Sequence, residues 1–231
     1  MMWKEIAELL ANRRFLWVFT VAVLAMGVLP ALTFARHGAK AMAELGALFL
    51  VLYVLFATVI VVANTAPDLV LHERVGHTLD YLLTTPLSVG VILGAKVVVA
   101  AGVGYIAGLF SIGVQIVAVA MFSGQGPHWL FLGSGVGQVM ALGLSAALSL
   151  YVAVVGTFVA LRLGEQRAAY MITVFSVGLL VIPFVIGWLH IDLTSTWAWH
   201  TAMILGLIAL GLVALGVRLF HREMLVLYLQ E

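Results

Sequence analysis

The sequence contains no cysteine and very few charged residues. Without cysteine the chain can form no disulfide, no thiol nucleophile and no thiolate metal site. Only 9% of its 231 residues are charged, whereas a soluble domain needs about a quarter to cover its surface. The formal net charge is +1 and the basic residues are scattered. Nothing in the charge pattern therefore favours binding to nucleic acid.

Two kinds of energy-coupling motif are also missing from the sequence. The glycines and the lysine within 90–96 lack the spacing of a G-x-x-x-x-G-K-[ST] loop, so the chain does not itself hydrolyse ATP. Carriers driven by protons or sodium keep ionisable groups inside their spans, and no acidic residue lies in the middle of an apolar stretch. Lys96 is predicted near a span end, where its amine can reach the membrane surface. Any transport must take its energy from another protein or use none.

Long apolar runs are what the sequence does contain, since 64% of its residues are hydrophobic. About 20 apolar residues cross a hydrocarbon core of about 30 Å. This length predicts an all-α integral membrane protein, one domain over 1–231, with six transmembrane helices. The third and fourth apolar stretches exceed the required length by roughly ten residues each, so they should tilt, break or continue beyond the membrane. The predicted spans are about 15–35, 45–66, 89–122, 129–161, 168–189 and 201–220.

The first 14 residues are too polar to span a membrane. Trp3, Ile6, Leu9 and Leu10 recur at helical spacing, and the charged residues, Glu5 among them, are predicted on other faces. This pattern predicts an amphipathic helix over 1–14 that lies in the membrane interface.

The distribution of lysine and arginine predicts the orientation of the chain. With the N-terminus inside, nine of the 11 basic residues are cytoplasmic, and Arg36 and Lys40 are outside. This positive-inside bias places both termini in the cytoplasm and residues 36–44, 123–128 and 190–200 outside. The nine residues are Lys4, Arg13, Arg14, Arg74, Lys96, Arg162, Arg167, Arg218 and Arg222.

The predicted cytoplasmic stretch from Asp68 to Lys96 combines charge, turn residues and an amphipathic pattern. Gly76 can end the preceding helix, and Thr78 can cap a short helix over 79–84. Pro86 disfavours helical geometry in the residue before it, so this helix must stop there. Its apolar face consists of Leu79, Leu82 and Leu83.

This stretch resembles the coupling segment of ABC transporter permeases of the type-2 exporter class, whose pattern is E-x-x-G-[ST]-x-[DE]-x-L-[LV]-x-[ST]-P, often followed by a glycine and a lysine about ten residues on. His77 stands where that family has Thr or Ser, and Thr78 supplies the hydroxyl one place late. The matching residues are Glu73, Gly76, Thr78, Asp80, Leu82, Leu83, Thr85, Pro86, Gly94 and Lys96.

The resemblance implies an elbow helix before the first span and a cytoplasmic coupling helix between spans two and three. It implies a prokaryotic inner-membrane exporter in which this chain pairs with a second permease, identical or homologous. Transport would be driven by a separate cytoplasmic ABC ATPase that binds ATP and Mg, with no cofactor on this chain. Contacts with the ATPase would be made by residues 73–86.

Polar residues within the spans form a candidate substrate path. Ser134, Gln138, Ser145 and Ser149 follow a single stripe of span four, and Gln115 lies on span three. Such residues either pack helices together or line a path for an amphipathic or lipid-like substrate. The pairs Gly104-x-x-x-Gly108 and Gly133-x-x-x-Gly137 predict close helix contacts.

Two alternative functions remain open at this point. His128, His190 and His200, with Trp188, Trp197 and Trp199, are predicted near the outer surface. They are typical of an aromatic interface belt, but imidazoles also bind metals and haem. A haem-handling ABC permease of cytochrome c maturation has a similar L-x-L-L-x-x-[ST]-P-L…K pattern. The other alternative is a membrane anchor or channel subunit without ATP coupling.

Overall fold

The described part of the fold is almost entirely helical. The structure is a computed structural model that describes residues 2–75, 89–123 and 140–190, and seven positions between 200 and 214. Within these residues every position except Asn12, Gly164 and Glu165 is helical, and none is in a strand. The predicted all-α class is therefore confirmed for the described part of the chain.

The helices are long and closely spaced in sequence. Helix α1 comprises Met2–Ala11, α2 Arg13–Val75 and α3 Val89–Ser123. A π-helical turn, Met140–Leu144, leads into α4, Ser145–Leu163, and α5 comprises Gln166–His190. Helix α2 continues well past residue 66, where the second span was predicted to end.

The chain reverses direction within α2, although every residue of Arg13–Val75 has a helical backbone conformation. Asn12, which immediately precedes it, donates a hydrogen bond of 3.3 Å to Asp68, 56 residues further along the chain. A straight helix of that length would extend about 84 Å. The chain therefore reverses between a first limb, residues 13–30, and a second limb, residues 51–75, which lie side by side.

Among the described residues, four helical segments are long and apolar enough to cross a membrane: Arg13–Pro30, Val51–His72, Gly90–Phe122 and Leu142–Leu163. They overlap the first four predicted spans and indicate a membrane-embedded protein. The side chains of 180–190 and most residues from 191 onward lie outside the described part, so the arrangement of six spans stays a prediction. Helix α3 is unbroken over 35 residues, whereas the fourth stretch contains the π-helical turn.

Helix α3 packs closely against the second limb of α2 through small residues. A Cβ atom added to Gly108 would lie 2.6 Å from the Thr58 Oγ1, and one added to Gly104 would overlap the Val62 side chain. The backbones can approach this closely because glycine has no side chain. The close contact predicted at these two glycines is confirmed, and Gly133 and Gly137 lie outside the described residues.

Helices α4 and α5 form an antiparallel pair joined by a very short turn. Gly164 ends α4 with a φ of 67°, and its N–H donates to the Ala160 carbonyl at 3.1 Å. Glycine adopts this left-handed conformation without steric cost, as is common at helix ends. The turn brings the start of α5 to the end of the bundle where Asn12, Asp68, Lys96 and Gln166 lie. We call this end the polar end.

Candidate functional site

A fully buried ion pair joins α1 to α3 at the polar end. The Lys96 Nζ lies 3.2 Å from the Glu5 Oε1 and donates to the Leu69 carbonyl oxygen at 2.8 Å. Lys96 is 0% exposed and Glu5 is 4% exposed. The prediction that the Lys96 amine reaches the membrane surface is wrong, because α1 covers it and supplies its counter-charge. Removing one partner of such a pair typically costs about 3–5 kcal/mol.

Helix α1 packs against the bundle through the face that carries Glu5 and Leu9. Glu5 and Leu9, one helical turn apart, are buried against the bundle, while Trp3 and Leu10 are 82% and 58% exposed. Glu5, which the sequence places on a different face from the apolar residues, is buried beside Leu9 because its carboxylate pairs with the buried amine of Lys96. The location of α1 in a membrane interface stays a prediction.

Asn12 both begins α2 and fastens it to the second limb. Its Oδ1 accepts hydrogen bonds from the backbone N–H groups of Arg14 at 3.0 Å and Phe15 at 3.4 Å. These bonds satisfy donors that the first turn of a helix otherwise leaves unpaired. Its Nδ2 is then free to donate to the Asp68 carboxylate. One asparagine thus caps a helix and bridges two segments.

Asp68 is the centre of a network that links α2 and α5. Its second carboxylate oxygen, Oδ1, accepts a hydrogen bond of 3.2 Å from the Gln166 Nε2. The Gln166 Oε1 in turn accepts from the Arg14 guanidinium at 2.9 Å. Asp68, Asn12, Arg14 and Gln166 therefore hold together the starts of α2 and α5 and the end of the second limb.

A cleft of about 310 Å³ opens between α1 and the second limb at the polar end. Five of its eight lining residues are polar or charged, yet no group of three His, Asp or Glu residues suited to a metal ion occurs among the described residues. The lining residues are Glu5, Glu8, Leu9, Ala11, Asn12, Asp68, Leu69 and His72.

The two helices that flank the segment resembling an ABC coupling element both have their adjoining ends at the polar end. Helix α2 ends at Val75, directly after the Asp68 network, and α3 begins at Val89, shortly before Lys96. Glu73 lies in the last turn of α2, but its side chain is outside the described part. The remaining predicted coupling residues also lie outside it: Gly76, Thr78, Asp80, Leu82, Leu83 and Pro86.

The described members of the predicted substrate path are buried among helices. The hydroxyls of Ser145 and Ser149 donate to carbonyls of the preceding turn, Leu142 at 3.3 Å and Ala146 at 2.8 Å. Gln115 donates across to the first limb, to the Met26 carbonyl. Ser134 and Gln138 lie outside the described residues. The two serine bonds stay within their own helical segment, whereas the Gln115 bond connects two helices. A substrate path along these residues stays a prediction.

The predicted haem or belt residues fall almost entirely beyond the described part of the chain. His200 is exposed, whereas His128, Trp197, Trp199 and the side chains of Trp188 and His190 lie outside the description. The choice between an aromatic belt and a haem site at these residues stays open.

Sequence patterns alone did not identify the most buried polar contacts at this end. The Glu5–Lys96 pair joins residues 91 positions apart, and Asp68 and Gln166 are 98 positions apart. A comparison of the chain with models of protein families found no match, and neither did a comparison with curated proteins. The functional conclusion therefore rests on the residues and on their geometry.

Proposed function

We propose that the chain is the membrane subunit of an ATP-driven ABC exporter of the type-2 class and that residues 73–86 couple it to a separate cytoplasmic ATPase. One observation carries the proposal. The motif joins α2 to α3, and its last residue, Lys96, is buried against the Leu69 carbonyl of the helix that precedes the motif. An element that receives force is useful only if the spans it moves are held together, and this contact between the flanking helices supports the proposal.

The charge of the polar end supports its assignment to the cytoplasm. Lys4, Arg13, Arg14, Arg162 and Arg167 all belong to helix ends that meet there. The first limb carries the chain away from this end toward the two basic residues assigned to the outside. Positively charged residues at one end of the spans are typical of the cytoplasmic side.

Movement of the coupling element would be transmitted because the spans are tightly packed. Gly104 and Gly108 hold α3 in backbone contact with the second limb of α2, so these two helices would move together. The Gln115–Met26 hydrogen bond then connects α3 to the first limb. Closure of the ATPase dimer would reorient this set of helices against a second permease. Transport proceeds by alternating access along Ser134, Gln138, Ser145, Ser149 and Gln115.

The experiment is to co-express the chain with ABC ATPases encoded in the genome of its source and to measure co-purification and ATP hydrolysis in lipid nanodiscs. Glu73→Ala, Gly76→Val and Asp80→Ala should weaken association or uncouple hydrolysis, since charge-assisted contacts are worth about 1.5–3 kcal/mol each. Asp192→Ala, at the predicted outer surface, is the matched control. If all three variants bind and hydrolyse like the unchanged protein, residues 73–86 are an ordinary loop.

A further inference from the structure

We infer that Glu5 and Lys96 are positioning residues, which fix through α1 the spacing between the end of α2 and the start of α3. The inference rests on the proposed function in one respect, since these two helix ends lead into the proposed coupling element. The pair itself is a feature of the described structure and can be tested without an ATPase.

Helix α1 lies across the two helices at this point. Through Glu5 it holds Lys96 of α3, and Lys96 also donates to the Leu69 carbonyl of α2. Asn12, directly after α1, holds Asp68 of α2. Leu69 precedes the end of α2 by six residues and Lys96 follows the start of α3 by seven, which is about 10 Å of helix on each side. The two helix ends therefore cannot separate while both contacts persist.

Because the Glu5–Lys96 pair is buried, separating its two charges is unfavourable. At a buried position, the attraction between opposite charges is stronger than in bulk water and an unpaired charge is unfavourable. Separation of Glu5 from Lys96 would cost each charge its attraction to the other at a buried position. The clamp, which we define as Glu5, Lys96 and the Leu69 carbonyl, thus holds one defined arrangement of the helix ends.

A double neutral variant separates positioning from stability. Lys96→Met alone leaves the Glu5 charge buried, and Glu5→Leu alone leaves the Lys96 charge buried, so each should lower the unfolding temperature in nanodiscs. Glu5→Leu/Lys96→Met removes both charges of this pair, and replacing a buried ion pair by apolar residues is often neutral for stability. The double variant should therefore unfold near the temperature of the unchanged protein but lack the clamp.

Hydrogen–deuterium exchange of the full chain in nanodiscs supplies the decisive readout. In the double variant, amides of residues 70–75 and 89–95 should exchange about fivefold faster or more, the lower end of typical coupling between linked elements. Amides of residues 97–119 should be unchanged. The matched control is Lys4→Met/Glu8→Leu, which removes an ion pair of 3.5 Å that is exposed on the same helix. Unchanged exchange at both helix ends of the double variant would overturn the inference.

The ATPase complex separates this inference from the proposed function. If an ATPase binds, the double variant should hydrolyse ATP at the basal rate but lose its stimulation by substrate or lipid, and intact stimulation would overturn the positioning role in coupling. If no ATPase binds the unchanged chain, the proposed function fails, while faster exchange at the helix ends would still establish the clamp.

Discussion

The side-chain amide of Gln115 donates a hydrogen bond of 3.1 Å to the backbone carbonyl of Met26. Pro30 lies four residues after Met26, and proline has no N–H with which to satisfy that carbonyl. The fully buried side chain of Gln115 supplies the donor that proline lacks. A glutamine for which the sequence leaves open helix packing or a substrate path thus completes the hydrogen bonding of a neighbouring helix, as membrane helices that contain proline require.

Gln115→Leu should destabilise the protein by about 1–3 kcal/mol, because it leaves the Met26 carbonyl without that donor. Pro30→Ala restores an N–H to the same carbonyl. In a double-mutant cycle, measured by unfolding in nanodiscs, the cost of Gln115→Leu should therefore be much smaller when Pro30 is also replaced. Equal costs in both backgrounds would show that the glutamine acts in some other way.

Gly104→Ala should destabilise the protein by about 1–3 kcal/mol, the usual effect of forcing an extra carbon into a packed contact. The added methyl group would overlap the Val62 side chain. Gly102→Ala is the matched control, because nothing lies within 4 Å of a Cβ added at that position. It should be neutral or stabilising by up to about 1 kcal/mol through helix propensity. Thermal unfolding of both variants provides the comparison, and equal stabilities would disprove the close contact.

Asp68→Ala should destabilise the polar end by about 1–3 kcal/mol, since it leaves the amide donors of Asn12 and Gln166 without their acceptor. Hydrogen exchange should rise at the starts of α2 and α5. Glu165→Ala, an exposed acidic residue next to Gln166, is the control and should change stability by no more than about 0.5 kcal/mol. If Asp68→Ala also changed stability by no more than about 0.5 kcal/mol, the role of the network would be contradicted.

Single cysteines introduced into this cysteine-free chain should show which side of the membrane each segment faces. With a membrane-impermeant thiol reagent applied from outside, Gly126→Cys should be labelled, whereas Gly76→Cys should react only after the membrane is opened. The expected result follows from the bias of nine basic residues against two. Labelling of Gly76→Cys from outside would exclude contact with a cytoplasmic ATPase.

The sequence by itself determined that the chain is helical and membrane-embedded. Runs of apolar residues long enough to cross a bilayer leave helix as the favoured backbone, because every peptide group must find a hydrogen-bond partner within its own segment. The spacing of Gly104 and Gly108 also identified a close helix contact. Each of these features is local, so composition and short-range periodicity were sufficient to predict them.

Only the tertiary structure decided how the polar residues are used. Glu5 meets Lys96 across 91 residues, Asn12 meets Asp68 across 56, and Gln115 meets Met26 across 89. Helical periodicity states which residues share a face but not what that face meets. Glu5 therefore resembled a solvated residue and Lys96 one that reaches the surface. Their burial follows from the packing of α1 over the ends of α2 and α3, where the charge of each residue makes burial of the other possible.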